Sequence, residues 1–306
     1  MPSWEHGDPS PASHRRAVVQ ALFVVFLWAT SWVLIKTGLE EIPALTFAGL
    51  RYSLAFVCLA PVLAVSGLHA PLRGLGARTW WRLILLGLLL YAITQGASFV
   101  ALSLLPAVTV NLLWSFSSVA VAVLSGVWLG ERPTIIQWLG VGLTVAGAGL
   151  FLYPVSLPRS QWVGVLVAAG GVLANALASL IGREFGREGR LPPLTVTVVT
   201  MGVGSVVLIG SGLAWQGLPA LSLRSWAIVA WLAVVNTAFA FTLWNHTLRT
   251  VTATESTVIN GTMLIWIPVL AVLFLGETIS TREAIGLAIV GLGTVLVQLR
   301  RTAVGS

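Results

Sequence analysis

Charge is scarce in this chain. Only 27 of 306 residues are Asp, Glu, Lys or Arg, or 9%, against roughly a quarter in an average soluble domain. Hydrophobic residues make up 57%, and the mean hydropathy is +0.93. That composition excludes an ordinary soluble globular protein, and it excludes disorder, which needs low hydrophobicity. Cysteine is nearly absent. Cys58 stands alone, which rules out a disulfide framework and a multi-cysteine metal site. His6, His14, His69 and His246 are too scattered to suggest a metal cluster. No phosphate loop and no nucleophile–base–orienter set appears, so no metal, cofactor or enzymatic activity is expected. A membrane protein with several spans remains.

The net charge of +7 and pI near 11 do not indicate nucleic acid, because the basic residues sit singly or in small groups between apolar runs. In a membrane protein such groups set orientation. Residues 1–16 form a polar, Pro-rich tail ending in His14-Arg15-Arg16. The apolar run that follows is too long for a signal peptide and reads as a retained first span.

A span needs roughly 20 apolar residues, and inside lipid it must be helical to satisfy its own backbone. The runs are 17–38, 44–66, 83–105, 107–129, 135–153, 161–182, 192–214, 226–248, 252–275 and 282–299. The expected fold is therefore an all-α polytopic membrane protein with ten transmembrane helices. With the N-terminus inside, twelve arginines fall on the cytoplasmic side and three outside. This bias places both termini in the cytoplasm of a cell whose plasma (inner) membrane holds the protein.

Leu129-Gly130-Glu131 recurs as Leu275-Gly276-Glu277, an offset of 146 residues. The same offset carries the first three spans close to spans six, seven and eight, Gly140 onto Gly286, and Gly147 onto Gly293. The chain thus divides into a repeat at 17–153, a connecting loop at 154–160, a second repeat at 161–299, and a cytoplasmic tail at 300–306. Five helices per unit is odd, so the two copies insert in opposite orientations. Such inverted repeats place a substrate site near the midplane where the halves meet.

These features, with Trp28 followed by Lys36, Pro43 before span two, Arg51 inside it, the paired Leu-Gly-Glu and Pro268 in span nine, resemble the EamA-type carriers of the drug/metabolite transporter superfamily. The resemblance covers residues 17–299. It implies secondary transport of small organic solutes, often export of amino acids or related metabolites. The second repeat departs from the first: Gly182 and Thr197 stand where Lys36 and Arg51 would recur.

Polar groups inside spans are costly and mark pathways. They concentrate in spans one, three, four, six, eight and nine, whereas spans five and ten carry glycine faces. The expected solute-binding set is Trp28, Ser31, Gln95, Asn111, Trp114, Asn175, Asn236 and Asn260, around a central polar cavity with spans five and ten peripheral. The competing reading of each Asn or Ser is an interhelical hydrogen bond, worth about 0.6 kcal/mol. For Lys36 the expected partner is Glu40, four residues on. Arg51 ties to Glu40 or Glu41, or takes a substrate carboxylate. Glu131 and Glu277 cap the helices that follow them. Glu255 and His246 at one cavity mouth are candidates for proton coupling, with burial raising the carboxyl pKa.

The expected partners are a small-molecule solute and the lipid bilayer. Oligomeric state is not encoded in any visible feature. Two other classes fit the composition: an intramembrane enzyme, for which Glu255, His246 and Asn260 are the nearest approach to a catalytic set, and a non-transporting assembly subunit.

Overall fold

The computed structural model describes residues 11–129, 134–153, 158–248 and 250–298. Within them lie ten helices long and apolar enough to cross a membrane. We label them α1 (Pro11–Gly38), α2 (Ala44–Val65), α3 (Ala77–Leu104), α4 (Ala107–Leu129) and α5 (Ile135–Leu152) in the first half. The second half holds α6 (Arg159–Glu188), α7 (Pro193–Trp215), α8 (Leu223–Thr247), α9 (Ala253–Gly261 and Met263–Leu275) and α10 (Thr281–Gln298). Glu131, at the end of the first Leu-Gly-Glu, lies outside the described residues.

The apolar runs placed the spans correctly and their ends less well. α3 begins at Ala77 rather than residue 83, and α6 continues to Glu188 rather than 182. Both extensions carry charged residues that pair with each other. Arg82 on α3 bonds Glu184 at 2.9 Å and Glu188 at 2.6 Å on α6, with its guanidinium over the Phe185 ring. Each extension thus holds the other in helical form. α3 and α8 are α-helical except for π-helical stretches at Leu88–Gln95 and Val234–Phe239. π turns are rare and concentrate at functional sites.

Helix packing relies on close backbone approach, since lipid offers no hydrophobic drive for helices to associate. α5 and α10 cross where glycines face each other. A methyl added at Gly140 would lie 2.6 Å from the Val297 nitrogen, and one at Gly147 would lie 2.8 Å from the Gly286 carbonyl. Large side chains such as Val57, Leu166, Val206 and Phe274 stay exposed on the outside of the bundle, where a bilayer would meet them.

The first N–H groups of each helix lack intrahelical acceptors, a severe problem in lipid. α2 and α4 each follow a proline, Pro43 and Pro106, whose side chain cannot accept a hydrogen bond. Residues from the second half supply the acceptors. Gln216 Oε1 accepts from the Leu45 and Thr46 amides at 2.8 and 3.3 Å. The Glu277 carboxylate accepts from Ala107 N at 2.6 Å and Val108 N at 3.1 Å. In return, Glu41 accepts from Ser222 N and Ser225 Oγ at the start of α8, which lowers its carboxyl pKa.

Candidate functional site

A cavity of about 290 Å³ opens between α1, α4, α9 and α10. Trp32 and Trp114 form part of its wall, their rings edge to face with centroids 6.4 Å apart. Met263 and Leu264 add apolar surface. The polar lining is Asn111, Ser115, Ser118, Ser256, Asn260, Thr294 and Gln298, with no charged side chain among the lining residues. Gln298 donates to Ser118, joining α10 to α4 across one end.

Two lining groups are buried without partners. Asn111 is 4% exposed and its Nδ2 makes no hydrogen bond; Thr294 is 6% exposed and its Oγ1 makes none. Unpaired buried polar groups cost roughly 1–3 kcal/mol each, and both have hydrogen-bonding capacity left over. Ser115 differs, because its hydroxyl donates to the Leu112 carbonyl at 2.6 Å.

Of the residues expected from sequence, Asn111, Trp114 and Asn260 meet in this cavity. The others lie elsewhere. Asn175 on α6 donates to Ser117 of α4 at 3.2 Å. Asn236, wholly buried in the π turn of α8, donates to the Leu27 carbonyl, to Thr30 and to Ser31, clamping α8 to α1. Ser31 is therefore part of that clamp. Trp28 packs against Phe241 and Trp244 with centroids 5.4 and 5.2 Å away. Gln95 is half-buried at the end of the α3 π stretch. α10 was expected at the periphery, yet it supplies Thr294 and Gln298 to the wall. Those two positions stand on the same helix as the α5-facing glycines, and the α-helical period gives them a second face.

The charged residues pair differently from their sequence neighbours. Lys36 does not reach Glu40; its Nζ donates to the carbonyls of Leu102 at 2.6 Å and Leu105 at 2.7 Å. Glu277 caps α4 rather than the following helix, where Ser280 and Glu283 cap α10 instead. Arg51 bonds neither Glu40 nor Glu41 but Thr237 on α8, at 3.0 Å.

Glu255 also departs from expectation. It is not deeply buried, and it forms a capping box with Thr252 at the start of α9. Those hydrogen bonds hold its carboxyl below the ordinary carboxylate range, with a smaller contribution from His14, and outweigh the upward pull of desolvation. Its imidazole partner is His14, at 2.9 Å, while His246 is exposed at the end of α8. A carboxylate and a histidine do meet at this end of the bundle, but the histidine comes from α1. A sequence separation of 241 residues hid that contact.

The profile of the EamA-like transporter family matches residues 15–153 and 162–299. The chain is 27% identical to the uncharacterized inner membrane transporter YedA of Escherichia coli, over 91% of this chain and 90% of that one. It is 28% identical to a probable terminal-alkyne amino-acid exporter of Streptantibioticus cattleyicolor, over 94% of each. A solved structure with 18% sequence identity shares the fold at a TM-score of 0.67, covering 92% of this chain and 97% of the other.

Proposed function

This chain belongs to the EamA-like transporter family, and from that premise we propose that it exports amino acids or related small metabolites by alternating access through the α1/α4/α9/α10 cavity. The observation that carries this reading is the pair of buried, unpartnered groups, Asn111 Nδ2 and Thr294 Oγ1, in a cavity without charge. An uncharged lining with two indoles suits a solute that is neutral overall and carries an apolar part.

Several features support two inverted five-helix repeats. The 146-residue offset carries the π stretch starting at Leu88 onto the one starting at Val234. It also exchanges the Gly140–Gly293 contact with Gly286–Gly147, as a two-fold axis between α5 and α10 would. Helix neighbours repeat as well: α4 and α3 pack on α6, as α9 and α8 pack on α1. The arginine bias supports cytoplasmic termini in the plasma membrane, and the cavity then opens toward the cytoplasm. Proton coupling in this reading runs through the His14–Glu255 contact, 2.9 Å long, at the mouth.

The test is transport in sealed proteoliposomes. Asn111→Leu abolishes solute flux while membrane insertion and thermal stability persist, whereas Asn175→Leu, outside the cavity, leaves measurable flux. Normal flux in Asn111→Leu overturns the assignment of this cavity.

A further inference from the structure

Arg51 is the most demanding group in the bundle. It stands seven residues inside α2, about 10 Å by helical rise, and is 5% exposed. A guanidinium carries five N–H donors in a planar fork. Only Nε is used, donating to Thr237 Oγ1 at 3.0 Å. That hydroxyl is committed in turn, donating to the Leu232 carbonyl at 2.8 Å. The Tyr52 ring lies 5.2 Å from Arg51 Cζ and offers its π face. Among the described residues no carboxylate lies within ion-pair distance of Arg51. A buried cation without a counter-charge costs several kcal/mol, and an ionisable group within a membrane span marks a functional site by default.

The location is a second, independent pointer. Tyr52 packs edge-on against Tyr91 of α3, with ring centroids 5.4 Å apart. Tyr91 and Thr237 are separated by 146 residues, so they are equivalent positions of the two halves. Both lie in the π stretches of their helices. The Arg51–Tyr52 pair is thus held between matching residues of the two repeats, where an inverted-repeat carrier places its ligand. Next to Thr237, Asn236 binds Ser31 of α1, and the following residue, Trp32, walls the cavity. Thr237, Asn236 and Ser31 thus link Arg51 to the cavity wall at Trp32.

We propose that Arg51 is a carboxylate-binding subsite, its two η nitrogens taking both oxygens of a carboxylate carried by the solute. Fork-to-carboxylate pairing is the geometry guanidinium favours. This inference deepens the carrier reading and rests on it for the ligand's identity as a solute. Arg51 has no counterpart in the second half, where Thr197 occupies the equivalent place, so the carboxylate is taken asymmetrically.

The experiment uses the full chain in detergent with two probes of matched shape, acetate and acetamide, at constant sodium and ionic strength made up with chloride. At ten times its dissociation constant, acetate raises the wild-type melting midpoint by about 3 °C over acetamide. Arg51→Lys keeps a reduced difference, and Arg51→Met loses it. Equal midpoints with acetate and acetamide in wild type overturn the subsite, and this arm needs no variant to fold. An undiminished acetate effect in Arg51→Met also overturns it, because general salt stabilisation then accounts for the shift. Loss of the acetate effect alongside flux that still depends on Asn111 defeats the subsite alone. An intact, Arg51-dependent acetate effect in a protein that moves no solute across vesicles defeats the carrier reading instead.

Discussion

Replacing Glu277 by Gln tests whether the two halves hold each other's helix ends. The carboxylate accepts two amides of α4, at 2.6 and 3.1 Å, and its charge acts on Lys36. An amide of the same shape keeps one oxygen but turns an NH₂ group toward the second N–H. One hydrogen bond is lost and the other becomes neutral. Hydrogen bonds to charged groups contribute about 1.5–3 kcal/mol and neutral ones about 0.5–1.5. The attraction between an anion and a helix N-terminus adds about 0.3–1 kcal/mol. Glu277 is only half-buried, so the lower ends apply, and the expected loss is about 3 kcal/mol. In a chain of this size that lowers the melting midpoint by about 5 °C. The assay is tryptophan fluorescence during thermal unfolding of the detergent-purified protein. Glu283→Gln serves as the control, since Glu283 caps its own helix at the exposed Ser280, and a loss of less than about 1 kcal/mol is expected. Combining Lys36→Met with Glu277→Gln measures the coupling between the two charges, expected to be about 1 kcal/mol. A midpoint for Glu277→Gln within error of wild type would refute the reasoning.

The α5–α10 crossing makes Gly140→Ala costly, about 1–3 kcal/mol by overpacking, whereas Gly142→Ala, with nothing within 4 Å, is neutral in the same melt. Single cysteines at Ser222 and Arg187, introduced with Cys58 replaced by Ala, react with an impermeant thiol reagent from outside and inside respectively; the reverse pattern defeats the topology. Because the Glu255 carboxyl is held low by Thr252 and His14, its contribution to stability is complete above the ordinary carboxylate value of about 4.3. That contribution disappears as pH falls through the lower folded value, so acid melts should separate wild type from Glu255→Gln only above that point.

Much of the fold was legible because lipid imposes one strict rule on the backbone. Ten apolar runs became ten helices, and the 146-residue offset reappears in the placement of the π turns. The cavity was legible in part. Asn111, Trp114 and Asn260 meet there, while Asn236 and Ser31 were spent on a helix–helix clamp. Composition cannot separate the two uses, since both need an amide facing inward. The difference lies in rotation about the helix axis, and the π turn in α8 resets that rotation at Asn236. A sequence reading with a fixed period of 3.6 residues cannot follow it.

The partners of the charged residues were the least legible, yet one of them carried a readable cause. Lys36 and Glu40 stand four apart and read as a local pair. What claims Lys36 instead is Pro106. An unbroken α3 would bond the Leu102 carbonyl to the amide of residue 106, and proline has no N–H to give. The same proline starts α4 without a capping side chain, leaving the Ala107 and Val108 amides open. A break of this kind in lipid needs a donor on one side and an acceptor on the other. Lys36 supplies the donor at the end of α1, and Glu277 supplies the acceptor from the far end of α9. Glu277, the last residue of the second Leu-Gly-Glu, thus closes the first half's proline break. Its place just after α9 answers to that break rather than to the helix that comes next, which Ser280 and Glu283 cap.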